Sequence, residues 1–330
     1  MAVSKYIDPD LIPGLERLKA LVGDGLDVAK DLHSARVSSN ARDETLIDAL
    51  TLPDTIVQEV VTCPASEGAH PSVDMRVMRP RDAASKTAPM PLFYWIHGGG
   101  YVLGTAKQGD LFTLTAAQQL GCFAASVDYR LSPEAAYPEP LDDCYRGLKY
   151  LLDNAAEFNI DPTRVIIGGV SAGGGLAAGL GLLVRDRAEF SLLGQVLLYP
   201  MLDDRNVAPA SDSHSDTLVW SRQANLFGWQ SYLGDAFGRD DVPIYAASAR
   251  AEDLSGLPPT YMPVGDLDLF LQENIAYAQK LTQCGVATHF HIYPGAFHGF
   301  NGFAADAPVS QQCNQEIFSF VGKLLAEAGT

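Results

Sequence analysis

Apolar residues recur along this chain in two rhythms, and the change from one to the other divides it. Residues 1 to about 50 are mostly polar, with Leu11, Ile12, Leu15, Leu18, Leu21 and Val22 at helical spacing. That stretch is expected to form a helical arm, with Pro13 in the first turn of its helix. Beyond it come short apolar runs of strand length, at 56–62, 73–78, 92–96, 123–127, 165–168, 196–199, 260–264 and 288–293. Stretches of helical period separate the later runs, at about 110–120, 140–156, 172–187, 268–284 and 309–327. Eight strands alternating with helices predict an α/β domain whose mostly parallel sheet is covered on both faces. No helix separates the first two runs, which predicts an antiparallel start.

After Tyr199 the alternation stops. Residues 203–215 are polar and loop-like, and 221–234 read as a helix with Ala224, Phe227, Gly228 and Tyr232 placed to meet another element. Ligands of open α/β sheets bind at the carboxyl ends of the strands. An insertion there, about 203–245, is expected to act as a cap over a domain spanning 51–330, with the arm at 1–50 joining it.

Composition narrows the class. The 330 residues are 47% hydrophobic and 19% charged, ordinary for a water-soluble globule with a sizeable core. A formal charge of −17 argues against a nucleic-acid partner and leaves no polybasic membrane patch. Five scattered cysteines, odd in number and without a C-x-x-C pair, read as reduced thiols. The first twenty residues carry Lys5, Asp8, Asp10 and Glu16 and no apolar signal segment. No run approaches the ~18 apolar residues of a membrane span. A soluble, cytoplasmic protein is expected, with no metal site, because no His, Cys and Asp cluster has ligand spacing. A homodimer stays open.

Candidate chemistry concentrates at the ends of the predicted strands. Gly169-Val170-Ser171-Ala172-Gly173 follows the run at 165–168 and precedes a helix, the context of a nucleophile elbow. Glycines flanking the serine allow a turn that a Cβ would obstruct. His97-Gly98-Gly99-Gly100 follows the run at 92–96 and offers backbone N–H groups to a developing oxyanion. Gly98, Gly99 and Ala172 are the expected donors, with Gly100 shaping the loop and His97 ordering it by hydrogen bonding. A serine hydroxyl needs a base. Of seven histidines, His33, His70 and His214 lie in polar segments, and His289 and His291 alternate along one strand. His298, in a glycine-bounded loop after the last strand, is the expected base. Its partner acid is expected in Gly265-Asp266-Leu267-Asp268; Asp268 is preferred and Asp266 competes, whichever is unused serving as a helix N-cap. Tyr101, Trp220 and Phe297 are candidates for contact with substrate, as are Phe227, Trp229, Tyr232 and Phe300, with core packing the alternative for each. Together these residues imply acyl transfer.

The same motifs resemble the hormone-sensitive-lipase-like esterases, a branch of the α/β hydrolases, over roughly residues 90–330. HGGG at 97–100, Asp128-Tyr129-Arg130-Leu131-Ser132-Pro133-Glu134, the serine motif, Gly265-x-x-Asp268 and His298 carry the likeness. It implies the α/β-hydrolase fold with an N-terminal cap, no cofactor, and small carboxylic esters of short or medium acyl length as substrates. An amidase or lactonase with the same triad, or a non-catalytic small-molecule receptor, is the alternative. Arg130 and Glu134 are expected to pair beside the HGGG loop. The chain departs from the family pattern in three places: Val170 replaces an acidic residue, Leu269 to Gln272 replace P-L-R-D, and Gly175 replaces asparagine.

Overall fold

The computed structural model describes residues 6–22, 28–48, 50–66, 70–82, 88–206 and 218–329. His214 and most of the polar loop expected at 203–215 lie outside them. The arm forms α1 (Ile12–Val22), with Pro13 in its first turn, and α2 (Leu32–Asp48). Then follow β1 (Ile56–Cys63), β2 (Val73–Pro80), β3 (Met90–Ile96), α3 (Asp110–Leu120), β4 (Phe123–Val127), α4 (Glu139–Asp153) and the single turn α5 (Ala155–Phe158). The second half continues with β5 (Ile160–Val170), α6 (Ala172–Arg187), β6 (Gly194–Leu198), α7 (Arg222–Leu233), β7 (Thr260–Gly265), α8 (Leu271–Gln283), β8 (Thr288–Tyr293), α9 (Phe300–Phe303) and α10 (Pro308–Ala328).

One eight-stranded sheet results, in the order β1-β2-β4-β3-β5-β6-β7-β8. β2 pairs antiparallel with both β1 and β4; every other pairing is parallel. Parallel strands need crossovers, and helices supply them on both faces. β3 shows how the sequence sorts itself. Leu92, Tyr94 and Ile96 enter one apolar layer with α4, α6 and α8, whereas Phe93 and Trp95 enter the other with α3 and α10. The period-2 alternation of a strand places these side chains on opposite faces. All seven β3 side chains are buried, as expected of a strand covered on both sides.

Two extensions flank the strand ends. α7 is capped by Ser221, whose Oγ accepts the Ala224 N–H, and it lies on the HGGG loop, where a Cβ on Gly228 would come 2.7 Å from the Gly100 carbonyl. The arm straddles the same end of the sheet. α1 packs on α9, with Gly14 pressed against Ala304, while α2 reaches the loop that follows β3. Among the described residues no helix is long and apolar enough to cross a membrane.

Candidate active site

Four loops at the carboxyl ends of β3, β5, β7 and β8 converge. Ser171 sits between β5 and α6 with φ +58° and ψ −121°, a conformation costing a non-glycine residue ~1–3 kcal/mol. Its surroundings hold it there: its N–H donates to the Leu198 carbonyl at 2.9 Å, and its own carbonyl accepts from Met201 and Gly175 at 3.0 Å. The flanking glycines are dictated by space. A Cβ on Gly169 would overlap the Gly173 carbonyl, and one on Gly173 would overlap the carbonyls of Ile96 and His97. This contact brings the elbow against the HGGG loop.

Three side chains form a hydrogen-bonded chain. His298 Nε2 lies 2.9 Å from Ser171 Oγ, and its Nδ1 lies 2.8 Å from Asp268 Oδ2. A carboxylate only accepts, so Nδ1 carries the proton and Nε2 is left to accept from the serine hydroxyl. The Asp268 side chain is fully buried, and its other oxygen accepts the Phe270 N–H at 2.9 Å. Both carboxylate oxygens therefore have partners, which a buried charge requires. Tyr199 and Phe270 grip the imidazole edge-on, with ring centres 4.9 and 5.2 Å away. Tyr199 is itself tied down by donating to Asn301 Oδ1 at 2.6 Å.

The HGGG peptides are fastened from behind. Tyr129 donates its hydroxyl to the His97 carbonyl at 3.0 Å, and His97 Nδ1 donates to the Gly98 carbonyl at 2.8 Å. In a planar trans peptide the N–H points opposite the carbonyl. Fixing those two oxygens therefore aims the N–H groups of Gly98 and Gly99 the other way. Gly99, at φ +112°, uses its carbonyl to accept from Val102 and Leu103. Gly98 abuts Ser171: a Cβ there would lie 3.4 Å from Ser171 Cβ. Complete burial pushes the His97 imidazole below its ordinary pKa, so it acts as a neutral donor stacked on Tyr129 at 4.1 Å. Ala172 begins α6, and the positive end of the helix dipole faces the site.

Several expectations need correction. Tyr101 and Phe297 expose no surface. Tyr101 stacks on Tyr232 at 4.1 Å and donates to the Met201 carbonyl, so it fills core beneath the loop instead of facing an open pocket. Trp229, Tyr232 and Phe300 are equally buried, while Phe227 is half-buried. Trp220 differs: its indole covers Gly100, and its buried Nε1 has no hydrogen-bond partner. Arg130 does not pair with Glu134. It binds Asp143 and Glu139, while Glu134 receives Arg36 from the arm. Asp266 is not a helix N-cap, because α8 begins only at Leu271; its Oδ1 instead accepts the Gly295 N–H at 2.7 Å and anchors the loop that carries His298. His289 and His291 face α10, where they meet Phe320 and Glu316. Sequence reasoning missed Tyr199, Phe270 and Arg36, none of which belongs to a motif. Among the described residues no three His, Cys, Asp or Glu side chains group as a metal site would.

Residues 93–302 match the protein family described by its alpha/beta hydrolase fold. Carboxylesterase NlhH of Mycobacterium tuberculosis is 32% identical over 225 residues, covering 68% of this chain and 70% of its own. An arylesterase of Saccharolobus solfataricus is 29% identical over 235 residues, covering 70% of this chain and 72% of its own. A solved structure described as a bacterial heroin esterase is 38% identical, covers 98% of this chain and 99% of its own, and superposes with a TM-score of 0.89.

Proposed function

The chain belongs to the hormone-sensitive-lipase-like branch of the α/β hydrolases, and from that membership we propose that it is a serine carboxylesterase acting through Ser171, His298 and Asp268. Ser171 Oγ attacks the ester carbonyl while His298 Nε2 takes its proton. Asp268 holds the imidazole in its tautomer and stabilises the imidazolium. The N–H groups of Gly98, Gly99 and Ala172 receive the oxyanion. His298 then protonates the departing alcohol and activates the water that releases the acyl group. The observation that carries this reading is the chain from Asp268 through His298 to Ser171, at 2.8 and 2.9 Å, against the fastened HGGG loop.

The relatives' names, carboxylesterase and arylesterase, favour esters over amides, and short, medium or aryl esters are the substrates we assign. Trp220 is the aromatic assigned to the substrate side of the loop. The arm and the insertion form the cap. Five unpaired thiols fit a reducing, cytoplasmic setting.

Hydrolysis of p-nitrophenyl acetate and butyrate tests the reading. Ser171→Ala is expected to lower kcat by at least about 10⁴-fold. A wild-type rate no higher than the alanine variant's overturns it.

A further inference from the structure

α2 has a small apolar contact, where Ala35 is buried and Leu32 packs beside it. Its other buried residues, Ser39, Arg42 and Asp43, are polar, and hydrogen bonds tie it to the loop after β3. Arg36 makes the most of them. Its Nε donates to the Val102 carbonyl at 2.8 Å and its Nη2 to the Ser132 carbonyl at 2.9 Å, and its two terminal nitrogens clamp Glu134 at 2.7 Å each. Val102 closes the turn whose N–H returns to Gly99, and Ser132 donates its own N–H to the Tyr101 carbonyl. One planar guanidinium thus joins the 99–103 turn to the 132–134 segment, using geometry that an ammonium does not have.

We propose that Arg36 is a positioning residue for the oxyanion loop, so that the N-terminal arm sets the aim of the Gly98 and Gly99 donors. The proposal rests on the esterase reading. Tyr129 and His97 fasten the loop from within the sheet domain; Arg36 fastens the far side of the same turn from outside it. Losing that tie lets the donors drift, and a misplacement of about 1 Å costs on the order of 10²-fold in rate. Ground-state binding changes little, because the donors meet the substrate fully only when charge develops on its oxygen.

Arg36→Ala is expected to lower kcat for p-nitrophenyl butyrate roughly ten- to hundredfold with KM within about twofold. A trifluoromethyl ketone inhibitor should weaken by a similar factor. Millimolar guanidinium should restore several-fold activity to the alanine variant, whereas equal ammonium or sodium chloride should not. The side chain is a quarter exposed, which gives the added ion access. Arg36→Lys should fall with the alanine variant while keeping the charge, and it carries the test if the alanine variant does not fold. A kcat within twofold of wild type in a folded variant overturns the proposal, as does a loss that guanidinium cannot reverse. Ser171→Ala separates the two claims: an active wild type, an inactive Ser171→Ala and an unaffected Arg36→Ala reject Arg36 alone, whereas an inactive wild type rejects the esterase reading.

Discussion

Asp266 and Asp268 stand two residues apart on one turn, and their different partners separate their work. Asp268 touches His298 and the Phe270 N–H; Asp266 touches only the backbone of the loop that delivers His298. Asparagine at 268 would present an amide where the imidazole N–H needs an acceptor, favouring the wrong tautomer, and kcat should fall by roughly 10⁴-fold. Asparagine at 266 keeps an oxygen for the Gly295 N–H, so a loss within about tenfold is expected from one weakened hydrogen bond. Steady-state kinetics of both variants on p-nitrophenyl butyrate decide the assignment, and the reverse ranking would move the acid to 266. At this scale the sequence favours Asp268 and keeps Asp266 as its competitor. What separates them is register: the chain spends residues 266–270 bringing one carboxylate under the imidazole before α8 begins.

Beside the carboxyl end of β6 the molecule buries a carboxyl that no motif announced. Glu273, in the first turn of α8, accepts the Leu202 N–H at 2.7 Å and the Asn206 amide at 2.6 Å, tying α8 to the strand end that leads into the insertion. Asp203 lies near with the same charge, and Arg205 and Arg250 engage Asp203 and Asp204 instead. Burial, aided by Asp203, pushes the Glu273 carboxyl from an ordinary value of 4.5 up to about 8. Because the folded value is the higher one, folding favours the protonated form. The associated stability is complete below about pH 4.5 and is lost as pH rises through about 8. Glu273→Gln cannot titrate, so its unfolding free energy should gain on the wild type's steadily across that window. Urea denaturation of both proteins at a series of pH values measures the difference; parallel curves would show that Glu273 is ionised throughout the window in both states.

The whole molecule is two apolar layers on one sheet, and that much follows from alternation of strand and helix along the chain. The parts that did not follow are those built from polar contacts or irregular backbone. β5 begins at Ile160, but Asp161, Pro162, Thr163 and Arg164 carry no apolar rhythm, and its pairing with β3 jumps from Asp161 to Val165. α2 hides its docking in Arg36 and Asp43, whose partners lie 98 and 65 residues away. Whether the two layers open together is a property of the molecule alone, and the cysteines report on it. Cys144 lies in the layer with α4 and α6, while Cys122 and Cys313 lie in the layer with α3 and α10. Burial pushes the Cys122 and Cys313 thiols up to about 12 and raises Cys144 as well, so none reacts while the fold is closed. Cys284 is half-buried. Iodoacetamide at pH 8 should therefore label Cys284 first and the three core thiols only through opening of the structure. Mass spectrometry of labelled peptides over time should give Cys122, Cys144 and Cys313 one shared rate, because the sheet between the layers carries side chains of both. A faster Cys144 would mean that the layer with α4 and α6 opens on its own, making the sheet a boundary between two cooperative units.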